Sequence, residues 1–176
     1  MAVDESQIEK IVREVVNNLI ANSKVSTLLE AGVLTESADG LFNRIEDAIA
    51  AAKNAQARFI NMGREVRFKI VDAIRKASLA EKKRLAQMTV EETKLGRVED
   101  KIRKIEVAAL FTPGPEDVEI KTYSDEKGVI IVQGAPFGVI AAITPMTNPA
   151  PTIINNTICM ISAGNSVVYL PHPSAH

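Results

Sequence analysis

The chain has 176 residues, 46% of them hydrophobic and 24% charged, with a formal net charge of −1 at pH 7. That length can bury a sizeable core in one domain, and so balanced a charge gives no electrostatic basis for binding nucleic acid or an anionic membrane. No apolar run is long enough to span a bilayer, acidic residues precede the first apolar positions where an export signal would be basic, and a single cysteine, Cys159, precludes an internal disulfide and fits a reducing cytoplasm.

The first apolar positions are Ile8, Ile11, Val12, Val15, Val16 and Leu19. Their spacing places all six on one stripe of an amphipathic helix over residues 1–20. Asp4 and Ser6 can cap its start, and Glu5 and Glu9 suit the positive end of its dipole. Residues 21–40 are rich in Ser, Thr, Ala and Gly and read as a linker with a short helical piece around residues 25–29. The stripe is therefore either the first helix of the domain or a detachable helix that docks in a partner's groove.

Residues 41–111 carry helical spacing almost throughout. Leu41, Ile45, Ala48, Ile49 and Ala52 form one face, Val66, Ile70, Ile74 and Ala77 a second, and Leu85, Met88 and Leu95 a third. Gly63 and Gly96 are natural stops, and a last helix over 99–111 ends at the Thr112-Pro113-Gly114-Pro115 turn. The interleaved Arg64, Arg67, Lys69, Arg75, Lys76, Lys82, Lys83 and Arg84 read as solvated faces.

After that turn the period changes to two. Val118, Ile120 and Thr122 alternate with charged residues, as in a strand with one wet face, and a turn over 125–128 leads to a second strand over 129–132. Residues 138–144 are small, apolar and uncharged, the composition of a strand buried on both faces of a parallel sheet. A helix over 149–163, with Pro149 or Pro151 in its first turn, and a buried strand over 166–170 complete a βαβ crossover.

In such a sheet ligands bind beyond the carboxyl ends of the strands. Those ends are Thr144-Pro145-Met146-Thr147-Asn148 and Leu170-Pro171-His172-Pro173, polar loops on stiff supports. Asn148 can either cap the following helix or donate its amide to a developing oxyanion. His172 is placed to touch a cofactor, though a lone loop histidine is also commonly incidental. There is no Gly-x-Gly-x-x-Gly or Walker loop, and no cluster with metal-ligand spacing. Cys159 lies among Ile158, Met160 and Ile161 and reads as a core thiol, not a nucleophile.

Taken together, Ala135-Pro136-Phe137-Gly138-Val139-Ile140, Ile143-Thr144-Pro145, Asn148-Pro149, Ile154-Asn155-Asn156, Ala163-Gly164-Asn165-Ser166-Val167 and Pro171-His172-Pro173 resemble the aldehyde dehydrogenase superfamily. With Glu91-Glu92-Thr93-Lys94-Leu95-Gly96-Arg97-Val98-Glu99-Asp100-Lys101 and Thr112-Pro113-Gly114 upstream, the chain looks most like the CoA-acylating propionaldehyde and acetaldehyde dehydrogenases of propanediol- and ethanolamine-utilising bacterial microcompartments.

The resemblance implies an α/β fold, the N-terminal part of the aldehyde dehydrogenase fold. Residues 41–176 would be part of an NAD-binding domain with an incomplete Rossmann-like parallel sheet, and residues 117–133 a β-hairpin arm for homo-oligomerisation, as dimer or tetramer. It implies NAD as cofactor and coenzyme A as co-substrate, with Asn148 as the catalytic oxyanion donor and Thr144, Pro145, Leu170, Pro171 and His172 against the cofactor. Hydrolytic members typically carry a lysine near the end of the strand where this chain has Leu170, a departure that favours the acylating branch. The stripe from Ile8 to Leu19 would be an encapsulation helix docking to shell proteins, placing the protein in the cytoplasm inside a microcompartment. The implied reaction converts a short-chain aldehyde, CoA and NAD+ to acyl-CoA and NADH. The family's nucleophilic cysteine would lie beyond His176, as would most residues lining the aldehyde pocket, so these residues alone are expected to be inactive. The competing reading is a non-catalytic microcompartment scaffold or targeting protein derived from that enzyme.

Overall fold

The computed structural model describes residues 40–175. The predicted helix over 1–20, its six-residue stripe and the linker as far as residue 39 lie outside the described residues. The chain divides into two units between Ala50 and Ala51. In the first, helix α1 (Ile45–Phe59) begins with Glu46 and Asp47 in its first turn, where carboxylates suit the helix dipole. Leu41 precedes this helix and is exposed, so it does not extend the predicted stripe.

In the second unit α1 runs on to the buried Phe59. Gly63, at φ 77°, turns the chain into the 30-residue helix α2 (Arg64–Thr93). Both the Val66 and Leu85 stripes therefore belong to one helix. It ends on Lys94 in a left-handed conformation, two residues before the expected Gly96. Helix α3 (Val98–Phe111) follows. Val71, Ala86, Ile105, Ala108, Ala109, Ile154 and Ile158 make the buried cluster among α2, α3 and the later helix α4 (Pro149–Ser162).

Met88, expected in the third stripe, is 51% exposed. Its place is taken by Ala86, Thr89 and Thr93, whose small size lets α3 approach closely. The two threonines remain satisfied because Thr89 donates to the Leu85 carbonyl at 2.8 Å and Thr93 to that of Thr89 at 2.6 Å.

The basic residues of α2 split into two groups: Arg67 and Arg75 are half-buried, which corrects their reading as solvated, whereas Arg64 is exposed as expected. Arg64, Arg67 and Arg75 share one face and reach carbonyls at the ends of neighbouring segments. Arg64 donates to Pro115 O at 2.7 Å, Arg67 to Ser162 O at 3.3 Å, and Arg75 to Leu110 O at 3.3 Å and Thr112 O at 2.9 Å. Helix ends leave carbonyls without intrahelical partners, and a guanidinium fork can satisfy several at once. Lys82 pairs with Glu106 of α3, while Lys69, Lys76, Lys83 and Arg84 do stay exposed.

Strands β1 (Lys121–Asp125) and β2 (Gly128–Val132) form the expected antiparallel hairpin, with Tyr123 opposite Ile130. Every residue of both strands is exposed, where one wet face was expected. Strands β3 (Val139–Ile143) and β4 (Ser166–Leu170) pair in parallel through the α4 crossover, with Val139 opposite Ser166 and Ile143 opposite Leu170. Among the described residues α4 covers only one face of this pair. Tyr169, the partner of Ala142, reaches α4 and donates to Ile153 O at 3.1 Å. Ala142 and Thr144 are buried, but Ile143 on the opposite face is 80% exposed, which corrects the expectation of burial on both faces.

A tight turn sets the strand register. Gly164 donates to Ile161 O and Asn165 to Met160 O, both at 2.9 Å, the paired bonds of a Schellman motif. The Asn165 side-chain oxygen then accepts the Gly138 N–H at 3.0 Å, and Ser166 N–H donates to Gly138 O at 2.9 Å. The two strands are thereby stitched together at their amino ends.

Candidate active site

Pairing at one end aligns the strands at the other. The Thr144 N–H donates to Leu170 O at 3.1 Å, so the two proline-containing loops leave the sheet side by side. Pro145, Pro171 and His172 are exposed on that edge. The His172 Nδ1 accepts the Ser174 N–H at 3.1 Å, which leaves the proton of a neutral ring on Nε2. Thr144 is 1% exposed, and its hydroxyl has no hydrogen-bond partner among the described residues.

Asn148 occupies the N-cap position of α4, yet its side chain makes no capping bond. A cap bonds the N–H of the second or third helical residue; Pro151 at the third has none, and the Ala150 N–H at the second is left unused by the Asn148 side chain. The side chain turns instead to α3, where its Oδ1 accepts from Lys104 Nζ at 3.0 Å. One turn earlier, Lys101 Nζ donates to the backbone carbonyl of Thr147. Lys101 is only 4% exposed, and burial, followed by the nearby Lys104 charge, holds its pKa below the ordinary lysine value. Two lysines spaced i, i+3 on α3 thus hold the loop, one by its backbone and the other by its side chain.

Asn148 stands at the edge of a cleft of about 540 Å³ between α3 and α4. Lys104, Val107, Ala108 and Phe111 line one wall; Pro151, Thr152, Asn155 and Asn156 line the other. Arg103 and Lys104 are the charged residues of the lining, which contains no carboxylate. Asn155 braces the far end by donating to Thr112 Oγ1 at 2.9 Å. An apolar cleft with a cationic mouth suits a small carbonyl compound whose oxygen gains negative charge. Sequence reasoning placed the pocket-lining residues mostly beyond His176 and did not anticipate this wall. Its signal is present in α4: Asn148, Pro151, Thr152, Asn155 and Asn156 recur at helical spacing on the stripe beside the buried Ile154 and Ile158.

The strand-end loops place Pro145, Pro171 and His172 on one exposed edge. They offer no phosphate cradle, since Pro149 and Pro151 remove two of the amide donors that a helix start would present. Among the described residues no three His, Cys, Asp or Glu side chains converge on a metal position. Cys159 is exposed on the face of α4 away from the core cluster, which corrects its reading as a core thiol. Partial desolvation by its surroundings still pushes its pKa up.

A parallel strand pair joined by a crossover helix, with a held amide at that helix's start, defines the class: an α/β domain of the parallel-sheet kind. The chain belongs to the aldehyde dehydrogenase family, which it matches over residues 24–176. It is 41% identical, over 99% of its length, to an acetaldehyde dehydrogenase (acetylating) of Bilophila wadsworthia, of which it covers 36%. A solved propionaldehyde dehydrogenase from the Clostridium phytofermentans fucose utilisation bacterial microcompartment is 48% identical, with a TM-score of 0.75 over 77% of this chain and 31% of that one. A Rhodopseudomonas palustris propionaldehyde dehydrogenase, solved with bound CoA and an acylated cysteine, is 41% identical, with a TM-score of 0.75 over the same shares. The described fold is the N-terminal part of the aldehyde dehydrogenase fold. The chain spans about a third of the length of the curated relatives it matches.

Proposed function

We propose that this chain supplies the oxyanion-binding wall and the nicotinamide edge of a CoA-acylating aldehyde dehydrogenase, which converts a short-chain aldehyde, CoA and NAD+ to acyl-CoA and NADH. One observation carries the reading. The Asn148 amide is held by its oxygen to Lys104 at the mouth of the α3–α4 cleft, so its NH2 group is left to donate. A thiolate adds to a carbonyl twice in this chemistry, first a cysteine outside these residues to the aldehyde, then CoA to the resulting thioester. Each addition places negative charge on one oxygen, and a preorganised donor is worth most at that moment. The Asn148 NH2 holds that oxygen both times, and the Val107, Ala108 and Phe111 wall receives the alkyl chain. Pro145, Leu170, Pro171, His172 and Thr144 would hold NAD, which when bound would accept the hydride.

The stripe of Ile8, Ile11, Val12, Val15, Val16 and Leu19 is proposed to dock to microcompartment shell proteins, and the 117–133 hairpin to join copies of the enzyme. Fusing residues 1–20 to a fluorescent reporter tests the first role, which fails if the reporter stays diffuse in cells that make compartments. The activity is tested by assaying the full-length protein with acetaldehyde and with propionaldehyde, each with CoA and NAD+. Acyl-CoA and NADH should form together, and Asn148→Ala should lower kcat on the order of 100-fold or more. No acyl-CoA with either aldehyde would instead favour a non-catalytic scaffold.

A further inference from the structure

We propose that Lys104 is a positioning residue that sets the orientation of the Asn148 amide and thereby aims its NH2 group into the α3–α4 cleft. This role rests on the reading of Asn148 as the oxyanion donor. An asparagine amide has two faces of opposite character, and which one meets the substrate decides whether it attracts or repels a developing negative charge. The helix start does not make that choice, because the Asn148 side chain forms no capping bond. Lys104 does. An ammonium group has donors and no acceptor, so the atom it meets at 3.0 Å is the oxygen, and the NH2 is turned the other way.

The backbone beneath is fixed independently, since Lys101 bonds the Thr147 carbonyl from the same face of α3. Lys104 is therefore left with the side chain alone. Its charge also draws electron density from the amide oxygen, which makes the N–H groups better donors. Arg103 on the same cleft wall adds positive potential but makes no bond to Asn148.

The test uses the full-length protein with four variants: Lys104→Met, Lys104→Arg, Asn148→Ala and the Lys104→Met/Asn148→Ala double variant. Lys104→Met keeps the length of the stem and removes the donors. It should lower kcat roughly tenfold while leaving the aldehyde KM within about threefold, the split expected when an interaction is made mainly in the transition state. Lys104→Arg, also a donor without an acceptor, should recover most of the loss. In the double variant Lys104→Met should add nothing to Asn148→Ala, because a positioning group has no effect once its target is gone. A full tenfold loss on top of Asn148→Ala would overturn the positioning role. So would unchanged kcat in Lys104→Met when Asn148→Ala alone is impaired, and then the oxyanion reading would stand. Full activity in Asn148→Ala would sink both readings.

Discussion

Replacing Gly164 by alanine should destabilise the protein through two separable effects. Gly164 has φ 84°, a left-handed conformation that costs a residue with a Cβ about 1–2 kcal/mol. The added Cβ would also lie 2.7 Å from Nη2 and 2.9 Å from Cζ of Arg67. That guanidinium is not free to retreat, because it donates to Ser162 O at 3.3 Å and sits 5.8 Å from the centre of the Phe59 ring. Displacing it forfeits a charge-assisted bond and a cation–π contact, about 1–2 kcal/mol together after solvent compensates part of the loss. The total is about 2–4 kcal/mol, read as a lower urea midpoint at unchanged slope. In an Arg67→Ala background the second effect disappears, so the same substitution should cost only about 1–2 kcal/mol. Equal costs in the two backgrounds would refute the steric part of the reasoning. The turn also sets the β3–β4 register, so the substitution should lower Asn148-dependent activity further than lost stability explains.

Ile158, fully buried in the core cluster, should cost about 3 kcal/mol on change to alanine, whereas Ile153 on the exposed side of the same helix should cost less than about 1 kcal/mol. Urea unfolding of the two variants checks this, and the reverse order would mean that α4 is rotated from its described position. Cys159 should alkylate, since it is exposed, but more slowly at neutral pH than a free thiol, because a raised pKa leaves less thiolate. Its iodoacetamide rate should climb as pH passes above the ordinary thiol range. A rate at pH 7 matching that of free cysteine would show that its surroundings do not desolvate it.

Much of the fold was legible because its signals are local. The helices of residues 45–111, the hairpin and the β3–α4–β4 crossover all follow from period changes and from the Gly and Pro residues between them. The site was half legible. Asn148 stood out as an amide beyond a strand end, but that its side chain makes no capping bond and meets Lys104 instead is decided by the approach of α3. Lys101 and Lys104 could not be found this way. They are two among many basic residues, and only the approach of α3 to the 144–148 loop distinguishes them. Cys159 was misjudged for a related reason: its neighbours in sequence are apolar, but on a helix immediate neighbours point elsewhere, and Ile158 takes the buried side.

The sequence by itself determined what short-range chemistry can enforce: which segments are helix or strand, where they stop, and, through several separated motifs, the family to which they belong. The tertiary structure decided which side of each element meets another. It turned Arg67 and Arg75 of α2 onto carbonyls at helix ends, left one face of the parallel pair uncovered among the described residues, and brought a lysine of α3 against an amide 44 residues away. The physical reason is that a side chain's role depends on what lies within a few ångströms of it, and contacts between segments distant in the chain leave no periodic trace in either one.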